Sequence, residues 1–487
     1  MLRKLLQHSA IYGVSTIIGR LMSYLLTPYY TNIFSREEFG VITDIYAMIP
    51  LFLVIFTMGM ETSYFHFASR VEGGERGRKQ LFGTAWGVTT ICSLLFVAVA
   101  IIFRTPLTAA MGEDYIGAPI FVISMAVIVA LDVISVVPFA RLREAGKAKQ
   151  YALLKLTNIA LQVVLTLLFG WMGLYQSQMG VAWVLIANMI ASGITLVLLL
   201  IPGNLSLRIN GKLLREVLIY SVPLMLSGVA GTATLFIDRQ LIKHLIPVGA
   251  MAQLGLYGAV VKIAVIMTLF TQVYRMAAEP LFLSNISKGE FKDANAKAMK
   301  YFLLASMVIF LTITLFSDIF ALFVGENFRE GVVILPLILI GNILSGVWLN
   351  LSFWYKHEKK SHFALWITLS GLLAVVVANK ILIPQWGYIG AAWSRVIAES
   401  VMVMVSVTLN RLYFPTPYPW LRIGEYIAVT VVIYLLHTAL GGLLPEPTLL
   451  RYALNGVLLL SILLYAIWRE RVDVKGVARA ILRREKL

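Results

Sequence analysis

The chain has 487 residues, of which 59% are hydrophobic and only 14% are charged, and its mean hydropathy is +0.83. A soluble globular domain has about 25% charged residues, so the composition excludes a soluble protein and indicates an integral membrane protein. The formal net charge of +16 is typical of a membrane protein with basic loops on its cytoplasmic side, so we do not expect nucleic acid as a partner.

Apolar runs long enough to cross a membrane follow one another along almost the whole chain. Since a helix needs about 20 apolar residues to span the hydrocarbon core, we predict an all-α polytopic membrane protein with about fourteen transmembrane helices. The predicted spans cover residues 9–31, 39–64, 81–103, 116–139, 150–172, 179–201, 218–243, 253–278, 300–324, 331–354, 362–383, 387–410, 421–444 and 449–468.

The basic residues fall on alternate sides of these spans. Segments on one side carry 29 of the 41 Lys and Arg residues when Lys300 and Arg422, at the edges of adjoining spans, are included, whereas the loops on the other side hold only Arg36, Arg104 and Arg329. Because basic residues are retained in cytoplasmic loops, the pattern predicts that both termini lie in the cytoplasm.

The second half of the chain resembles the first half. Gly180 and Trp183 match Gly390 and Trp393 in a shared Gly-x-Ala-Trp motif at an offset of 210, and two further matches precede this motif at similar offsets. Six spans per repeat give two parallel lobes related by an axis near the membrane normal, with a substrate site between them. The predicted domains are an N-terminal six-helix lobe at 1–203, a C-terminal six-helix lobe at 204–414, two additional helices at 415–470 and a basic cytoplasmic tail at 471–487.

We single out four of the cations within the predicted spans as candidate intramembrane charges. A charge at the centre of a membrane helix costs about 2.5–3.5 kcal/mol, so such a residue should face the protein interior or a wet cavity. Arg20 has no acid three or four residues away, so it is the first candidate for a substrate contact. Surplus positive charge favours an anionic group, and phosphate or pyrophosphate suits the planar donors of arginine. The four predicted substrate-binding residues are Arg20, Arg239, Lys262 and Arg395.

Acidic residues within the spans leave an alternative open, in which the charges neutralise one another. Arg395 and Glu399 are four residues apart on one helix, so they can pair directly. Asp238 adjoins Arg239 in the sequence and can pair with Lys262 if the two helices meet. The acids at helix depth are Asp44, Asp132, Asp238 and Glu399.

Two prolines are the predicted hinges. Pro28 and Pro223 lie in the first span of each lobe. A proline frees a backbone carbonyl and bends its helix, which suits the rocking of helix bundles, and a static kink is the alternative interpretation.

The sequence carries no motif for catalysis. It has one cysteine, Cys92, and lacks H-E-x-x-H, a Gly-rich phosphate loop and a nucleophile motif. We therefore predict a protein that is not an enzyme and has no cofactor or metal site. Transport would then draw on an ion gradient, the membrane potential or the substrate itself.

Five stretches carry a resemblance to a known family. The chain resembles bacterial polysaccharide flippases of the Wzx type, in the multidrug/oligosaccharidyl-lipid/polysaccharide exporter superfamily. The resemblance covers nearly the whole chain and rests on loose patterns. The stretches are GRLMSYLLTPYYTNIFSREEFGVITDIYA, GMETSYFHFAS, LFIDRQLIKHL, GLYGAVVKIAV and GYIGAAWSRVIAE.

The resemblance implies a V-shaped pair of six-helix lobes in the bacterial inner membrane. Such a protein moves undecaprenyl-pyrophosphate-linked oligosaccharide to the outer leaflet by alternating access, for O-antigen, capsule or exopolysaccharide synthesis. The four cations would bind the pyrophosphate or acidic sugars. The implied partners are anionic lipids, a coupling ion (proton or sodium) and a polysaccharide polymerase, and we expect a monomer. The candidates for ion coupling are Asp238, Glu399, Asp44 and Asp132.

Three alternatives remain at this point. A lipid II flippase also has fourteen spans. The resemblance implies that such a flippase carries more basic residues in its first two spans, whereas in this chain only Arg20 lies deep in that region. Multidrug antiporters typically have twelve spans and an acidic cavity suited to cations, whereas the surplus here is positive. A non-transporting scaffold of a polysaccharide assembly complex has no need of deep cations.

Overall fold

The structure is a computed structural model that describes residues 24–68, 74–115, 117–201, 207–282, 287–358, 360, 362–441 and 449–471. All regular secondary structure in these residues is helical. The α-helices are α1, residues 24–33; α2, Arg36–Thr57; α3, Met60–Ala68; α4, Gly74–Ile102; α5, Arg104–Met111; α6, Ile120–Glu144; α7, Ala148–Trp171; α8, Ala182–Leu200; α9, Gly211–Leu245; α10, Ala250–Ile263; α11, Val265–Phe282; α12, Lys288–Leu315; α13, Ser317–Ala321; α14, Leu335–His357; α15, His362–Tyr413; α16, Trp420–Gly441; and α17, Leu449–Glu470. Short 3-10 helices cover Glu113–Tyr115, Leu174–Gln176 and Glu326–Ile334.

The all-α membrane fold predicted from the sequence is confirmed, but the count of fourteen spans is not. Within the described ranges, 11 helices are long and apolar enough to cross a membrane, or 12 if α10 and α11, bent by 48°, form one span. Most of the predicted first span, 9–31, lies outside the described residues. The predicted spans 362–383 and 387–410 lie together in α15, which is counted once.

A turn at Gly387 divides α15 into two helical segments. The helix has 52 residues, which would extend about 78 Å if straight, far beyond the hydrocarbon thickness of about 30 Å. Gly387 has φ 56° and ψ −134°, a backbone conformation that favours glycine, and Pro384 precedes it. The Tyr388 backbone N–H donates to Gln253 Oε1 (3.0 Å), which ties the turn to α10. The division coincides with the boundary between the two predicted spans.

The chain forms two compact units that do not end at the predicted boundaries 203 and 414. Helices α9, most of α10 and the middle of α15 belong to the same unit as the N-terminal helices. The lobes inferred from the internal repeat therefore stay a prediction. The first unit comprises Met1–Lys262, Val324–Gly331 and Thr368–Ala398, and the second comprises Ile263–Phe323, Val332–Ile367 and Glu399–Leu487.

Glycines allow α2 and α10 to cross closely in the first unit. A Cβ added to Gly255 would collide with the backbone carbonyl of Arg36, and one added to Gly40 would collide with the carbonyl of Met251. Small residues permit this approach between membrane helices because the backbones themselves make the contact. The GLYG segment of α10 therefore acts as a packing surface against α2.

A buried ion pair joins α2 to α9 in the same unit. Asp44 Oδ2 accepts from Lys243 Nζ (2.6 Å), and the two side chains are 0% and 4% exposed. Asp44 also accepts from Gln240 Nε2 (2.5 Å) and from the Tyr115 hydroxyl (2.8 Å). Burial and the neighbouring Asp44 carboxylate raise the pKa of Tyr115 above its usual value, so its hydroxyl stays protonated and donates. The carboxylate is thus surrounded by donors from α9 and from the connection before α6.

Aromatic packing and polar contacts between helices stabilise the second unit. Its core is built around Phe353 and Trp354 of α14. Glu470 at the end of α17 accepts from Lys300 of α12 and from the Tyr426 hydroxyl of α16 (2.5 Å for Tyr426), and the Asn455 amide of α17 donates to the Leu315 carbonyl (2.6 Å). Helix α17 is therefore attached to α12 by polar contacts, and α16 is attached to α17 through Tyr426 and Glu470.

Contacts between helix ends agree with the predicted alternation of sides. Glu61 and Arg143, both at predicted cytoplasmic ends, form an ion pair (2.5 Å). Arg36 and Glu330, both in predicted outer loops, form another (2.8 Å). Residues that the distribution of Lys and Arg assigns to the same side of the membrane are therefore in contact in the first unit.

We expect Gly255→Ala to lower stability by about 1–3 kcal/mol, because the added methyl group overlaps a backbone carbonyl. Gly424→Ala in α16 is the matched control, since a Cβ there meets nothing within 4 Å. Replacing this helical glycine should be neutral or stabilising by about 0.5–1 kcal/mol. Thermal unfolding of the detergent-solubilised variants measures the difference, and equal melting temperatures would contradict the close crossing of α2 and α10.

We expect Lys243→Ala to destabilise the protein by about 3–5 kcal/mol, because it leaves the Asp44 carboxylate buried without its counter-charge. The double variant Asp44→Asn, Lys243→Met removes both charges and should recover most of the loss. Thermal unfolding is again the measurement. An unchanged melting temperature in Lys243→Ala would exclude a stabilising ion pair.

Candidate functional site

Three helices of the first unit bring charged side chains together. Helix α9 carries Asp238 and Arg239, α10 carries Lys262, and α15 carries Arg395. The sequence predicted all four as site residues, although the four positions span more than 150 residues of the chain. We call the following residues the charged cluster: Asp238, Arg239, Tyr257, Lys262, Asn379 and Arg395.

Asp238 is the buried carboxylate of the charged cluster. Its side chain is 3% exposed, and its carboxylate accepts from Asn379 Nδ2 (2.9 Å) and from the Tyr257 hydroxyl (3.4 Å). Arg395 and Arg239 lie close enough to interact with it electrostatically. A buried carboxylate needs such donors and counter-charges, because burying it alone would be prohibitively expensive. Its position is therefore fixed by three helices.

The cations of the charged cluster are only partly buried. Arg395 is hydrogen-bonded to the Tyr257 hydroxyl, and Arg239 interacts electrostatically with both of these side chains. Lys262 Nζ lies 4.8 Å from the ring centroid of Tyr24 in α1, a cation–π contact, and is repelled by Arg239. The cations thus keep part of their surface accessible while Asp238 is enclosed.

Cations outnumber carboxylates in the charged cluster. It holds three cations and one carboxylate, which leaves a surplus of two positive charges. Like charges repel strongly in a medium of low dielectric constant, so an anion placed among them would be stabilised. Arginine donors form a planar fork that matches the oxygens of phosphate and carboxylate groups. The arrangement is therefore suited to binding an anionic group.

The fourth predicted cation, Arg20, lies outside the described residues, so its place stays a prediction. The predicted hinge Pro28 belongs to α1, where its carbonyl accepts from Asn32 Nδ2 (2.7 Å). Pro223 lies inside α9, fifteen residues before Asp238 in the same helix. The hinge roles of both prolines stay predictions.

Asp132 lies in a separate polar group among α6, α7 and α8. Ser192 Oγ donates to its carboxylate (2.9 Å), and Lys155 interacts with it electrostatically. The Lys155 Nζ also lies 4.2 Å from the ring centroid of Phe139. The acid therefore has its own cation within the N-terminal helices.

Amides at helix depth connect helices near Asp132. The Tyr46 hydroxyl of α2 accepts from Asn188 Nδ2 (3.2 Å) and from Gln162 Nε2 (3.4 Å), and Asn158 Nδ2 donates to Thr195 Oγ1 (3.1 Å). Each of these bonds joins two different helices. Such bonds satisfy polar groups that would otherwise face hydrocarbon.

The remaining predicted acids lie in different surroundings. Glu399, in the second unit, is buried and accepts from the Trp348 indole N–H (2.9 Å). Asp44 occupies the buried ion pair with Lys243 described above. The roles of both acids in ion coupling stay predictions. Within the described ranges, no group of three or more His, Cys, Asp or Glu side chains could hold a metal ion.

Sequence reasoning missed four residues that shape these sites. Lys155 and Lys243 lie near the ends of predicted spans, where a lysine normally reaches towards water and signals no partner. Tyr257 and Asn379 carry no charge, so an inventory of intramembrane charges passes over them. Asn379 did offer a signal, since it is the one amide in the apolar run LLAVVVANKILI.

Comparison with known proteins identifies the family and the fold. The sequence matches the family described as polysaccharide biosynthesis protein over residues 5–286, more than half of the chain. No curated protein sequence matches it.

Several solved structures share the fold. The lipid II flippase MurJ, in an inward closed conformation, is similar with a TM-score of 0.73 and 14% identity, covering 96% of this chain and 100% of that chain. An inward-facing multidrug resistance MATE family transporter of the MOP superfamily has a TM-score of 0.63 and 15% identity, covering 85% and 96%. The MATE multidrug transporter DinF-BH has a TM-score of 0.62 and 17% identity, covering 84% and 95%.

These likenesses, at low identity, establish a common fold. They agree with the many apolar helices, which make this a multi-pass membrane protein. Together with the family match they confirm the resemblance found in the sequence. The chain belongs to the polysaccharide biosynthesis protein family and shares its fold with the lipid II flippase MurJ and with a MATE family transporter of the MOP superfamily.

Proposed function

We propose that the protein is a flippase for undecaprenyl-pyrophosphate-linked oligosaccharide. It moves this precursor from the inner to the outer leaflet of the bacterial inner membrane by alternating access, for O-antigen, capsule or exopolysaccharide synthesis. The observation that carries the proposal is the charged cluster: two partly exposed arginines interact with one buried carboxylate, and a third cation, Lys262, lies beside Arg239. The family match to polysaccharide biosynthesis supports the glycan part of the substrate.

The pyrophosphate is the group that the charged cluster is suited to bind. Arg239 and Arg395 offer planar donors for two oxygens each, and Lys262 adds a point charge. Charge-assisted hydrogen bonds are stronger than neutral ones, and the apolar surroundings reduce screening. The cluster would therefore lower the cost of carrying a doubly charged group through the hydrocarbon layer.

Asp238 gives the proposed site a means of coupling to protons. Protonation of its carboxylate would remove the one negative charge from the charged cluster and raise the surplus from two to three positive charges. An anion then binds more tightly, and linkage requires that anion binding favours protonation to the same degree. Proton uptake and binding of the pyrophosphate are therefore expected to reinforce each other.

Charge and direct assays distinguish the proposed function from other substrates and roles. Cationic drugs would be repelled by the surplus positive charge. Lipid II, on which the similar flippase acts, is distinguished in the source organism: loss of this gene should remove a surface polysaccharide and leave cell-wall synthesis intact. A non-transporting scaffold would leave a labelled lipid-linked sugar on its original leaflet in liposomes.

We expect Arg239→Gln and Arg395→Gln each to slow transport about 10- to 100-fold, the equivalent of losing one charged hydrogen bond of about 1.5–3 kcal/mol. The assay uses purified protein in liposomes with a fluorescent undecaprenyl-pyrophosphate-linked oligosaccharide. Arg104→Gln, at an exposed position in α5, is the control and should transport normally. Arg20→Ala in the same assay tests the predicted cation outside the described residues. Normal transport by both cluster variants would refute the proposed site.

We expect Asp238→Asn to flatten the pH dependence of substrate binding. Asparagine keeps an acceptor for Asn379 and Tyr257 but cannot take up a proton. The affinity of the variant protein for the lipid-linked substrate should therefore no longer rise as the pH falls. The measurement is binding of the fluorescent substrate across a pH series. Glu37→Gln, at an exposed position in α2, should retain the dependence of the wild type. An unaltered pH profile in Asp238→Asn would exclude this acid as the coupling group.

A further inference from the structure

A cavity of about 480 Å³ lies in the first unit, and its lining includes none of the charged cluster's cations. It is lined by parts of four connections: the start of α2, the link from α9 to α10, the 3-10 helix Glu326–Ile334 and the turn of α15. The distribution of Lys and Arg along the sequence predicts that all four connections lie on the extracytoplasmic side. Its volume falls within the range of about 300–1,000 Å³ typical of small-molecule sites. We call it the outer cavity.

The outer cavity has no net charge. Its charged lining residues are Arg36 and Glu330, which pair with each other (2.8 Å), and the Arg36 Nε–H also donates to the carbonyl of Asn327 (2.5 Å). A site for phosphate would need surplus positive charge, and a site for a cation would need surplus negative charge. The outer cavity therefore suits an uncharged polar molecule.

The donors and acceptors around the outer cavity suit hydroxyl groups. Arginine only donates hydrogen bonds, an ionised glutamate only accepts them, and glutamine does both. A sugar hydroxyl donates and accepts at once, so Arg36, Glu330 and Gln253 together can satisfy neighbouring hydroxyls on one ring. Gln253 is held in place, since its Oε1 accepts from the backbone of Tyr388 (3.0 Å).

An exposed tryptophan supplies the apolar part of such a site. Trp386 lines the outer cavity and is 52% exposed, beside the polar side chains. A flat indole ring buries apolar area against the C–H face of a sugar ring, and Trp is rigid, so little conformational entropy is lost on binding. The positive φ of Gly387 fixes the turn between Trp386 and Tyr388, so these aromatic residues are positioned before a ligand arrives.

We propose that the outer cavity binds uncharged sugar rings of the glycan carried by the translocated lipid. This inference rests on the proposed function, and it adds a second subsite to it. The charged cluster holds the anionic head group, whereas the outer cavity holds the oligosaccharide on the side where it is released.

Binding of free oligosaccharides tests the outer cavity without transport. The full-length protein in nanodiscs is examined by saturation-transfer NMR against a panel of free, uncharged oligosaccharides from bacterial surface polymers. We expect wild type to bind at least one of them and Trp386→Ala to bind it at least tenfold more weakly. Trp393→Ala, also on α15, 43% exposed and outside the cavity lining, is the matched control and should bind normally.

A second variant tests the cavity by filling it. Ala252 lines the outer cavity, so Ala252→Trp should also abolish sugar binding while the melting temperature confirms folding. The inference is overturned if no oligosaccharide binds wild type, or if Trp386→Ala binds like wild type. The latter result is expected of a tryptophan that only anchors α15 at the membrane surface.

The two proposals fail in different ways. Free sugars lack the pyrophosphate, so Arg239→Gln and Arg395→Gln should keep sugar binding even where transport is lost. If these variants transport normally while Trp386→Ala loses sugar binding, the proposed head-group site fails and the outer cavity stands. If they lose transport while Trp386→Ala keeps sugar binding, the outer cavity fails alone.

Discussion

The free energy of placing charge inside a membrane protein governs where its ionisable side chains lie. Each charge at the centre of a spanning helix costs about 2.5–3.5 kcal/mol when it stands alone. The first unit meets this cost in two ways. Asp44 and Lys243 form a fully enclosed pair with further donors around the carboxylate. By contrast, Arg239 and Arg395 lie near Asp238 and Lys262 lies near Arg239, and all three cations remain partly exposed.

This difference separates structural charge from candidate functional charge. A closed and balanced pair has no capacity left for a ligand, and its loss is expected to be felt as lost stability. A group with surplus charge and accessible surface costs stability unless a counter-charge arrives, and such groups are expected at functional sites. The charged cluster has this second character, and the Asp132 group, with Lys155 beside it, is closer to the first.

Helix α15 connects the two proposed subsites of the first unit. Before its turn it carries Asn379, which holds Asp238, and after the turn it carries Arg395. The turn itself places Trp386 and Tyr388 at the outer cavity. A single glycine conformation at Gly387 therefore affects both the anionic and the uncharged parts of the proposed site, and the contact with Gln253 fixes the turn against α10.

The sequence by itself determined the helical membrane architecture, the approximate spans, the family and most of the charged cluster. The family follows from the quoted sequence stretches. The architecture, the spans and the charged positions follow from hydropathy and from the depth of a charge within an apolar run, both of which are local properties of the chain. Only the tertiary structure decided that Asp44 pairs with Lys243, that Asn379 and Tyr257 donate to Asp238, and that four distant connections line the outer cavity. Such partnerships depend on which helices meet and on how each is rotated about its axis. Local composition specifies neither, because every spanning helix is apolar on most of its surface.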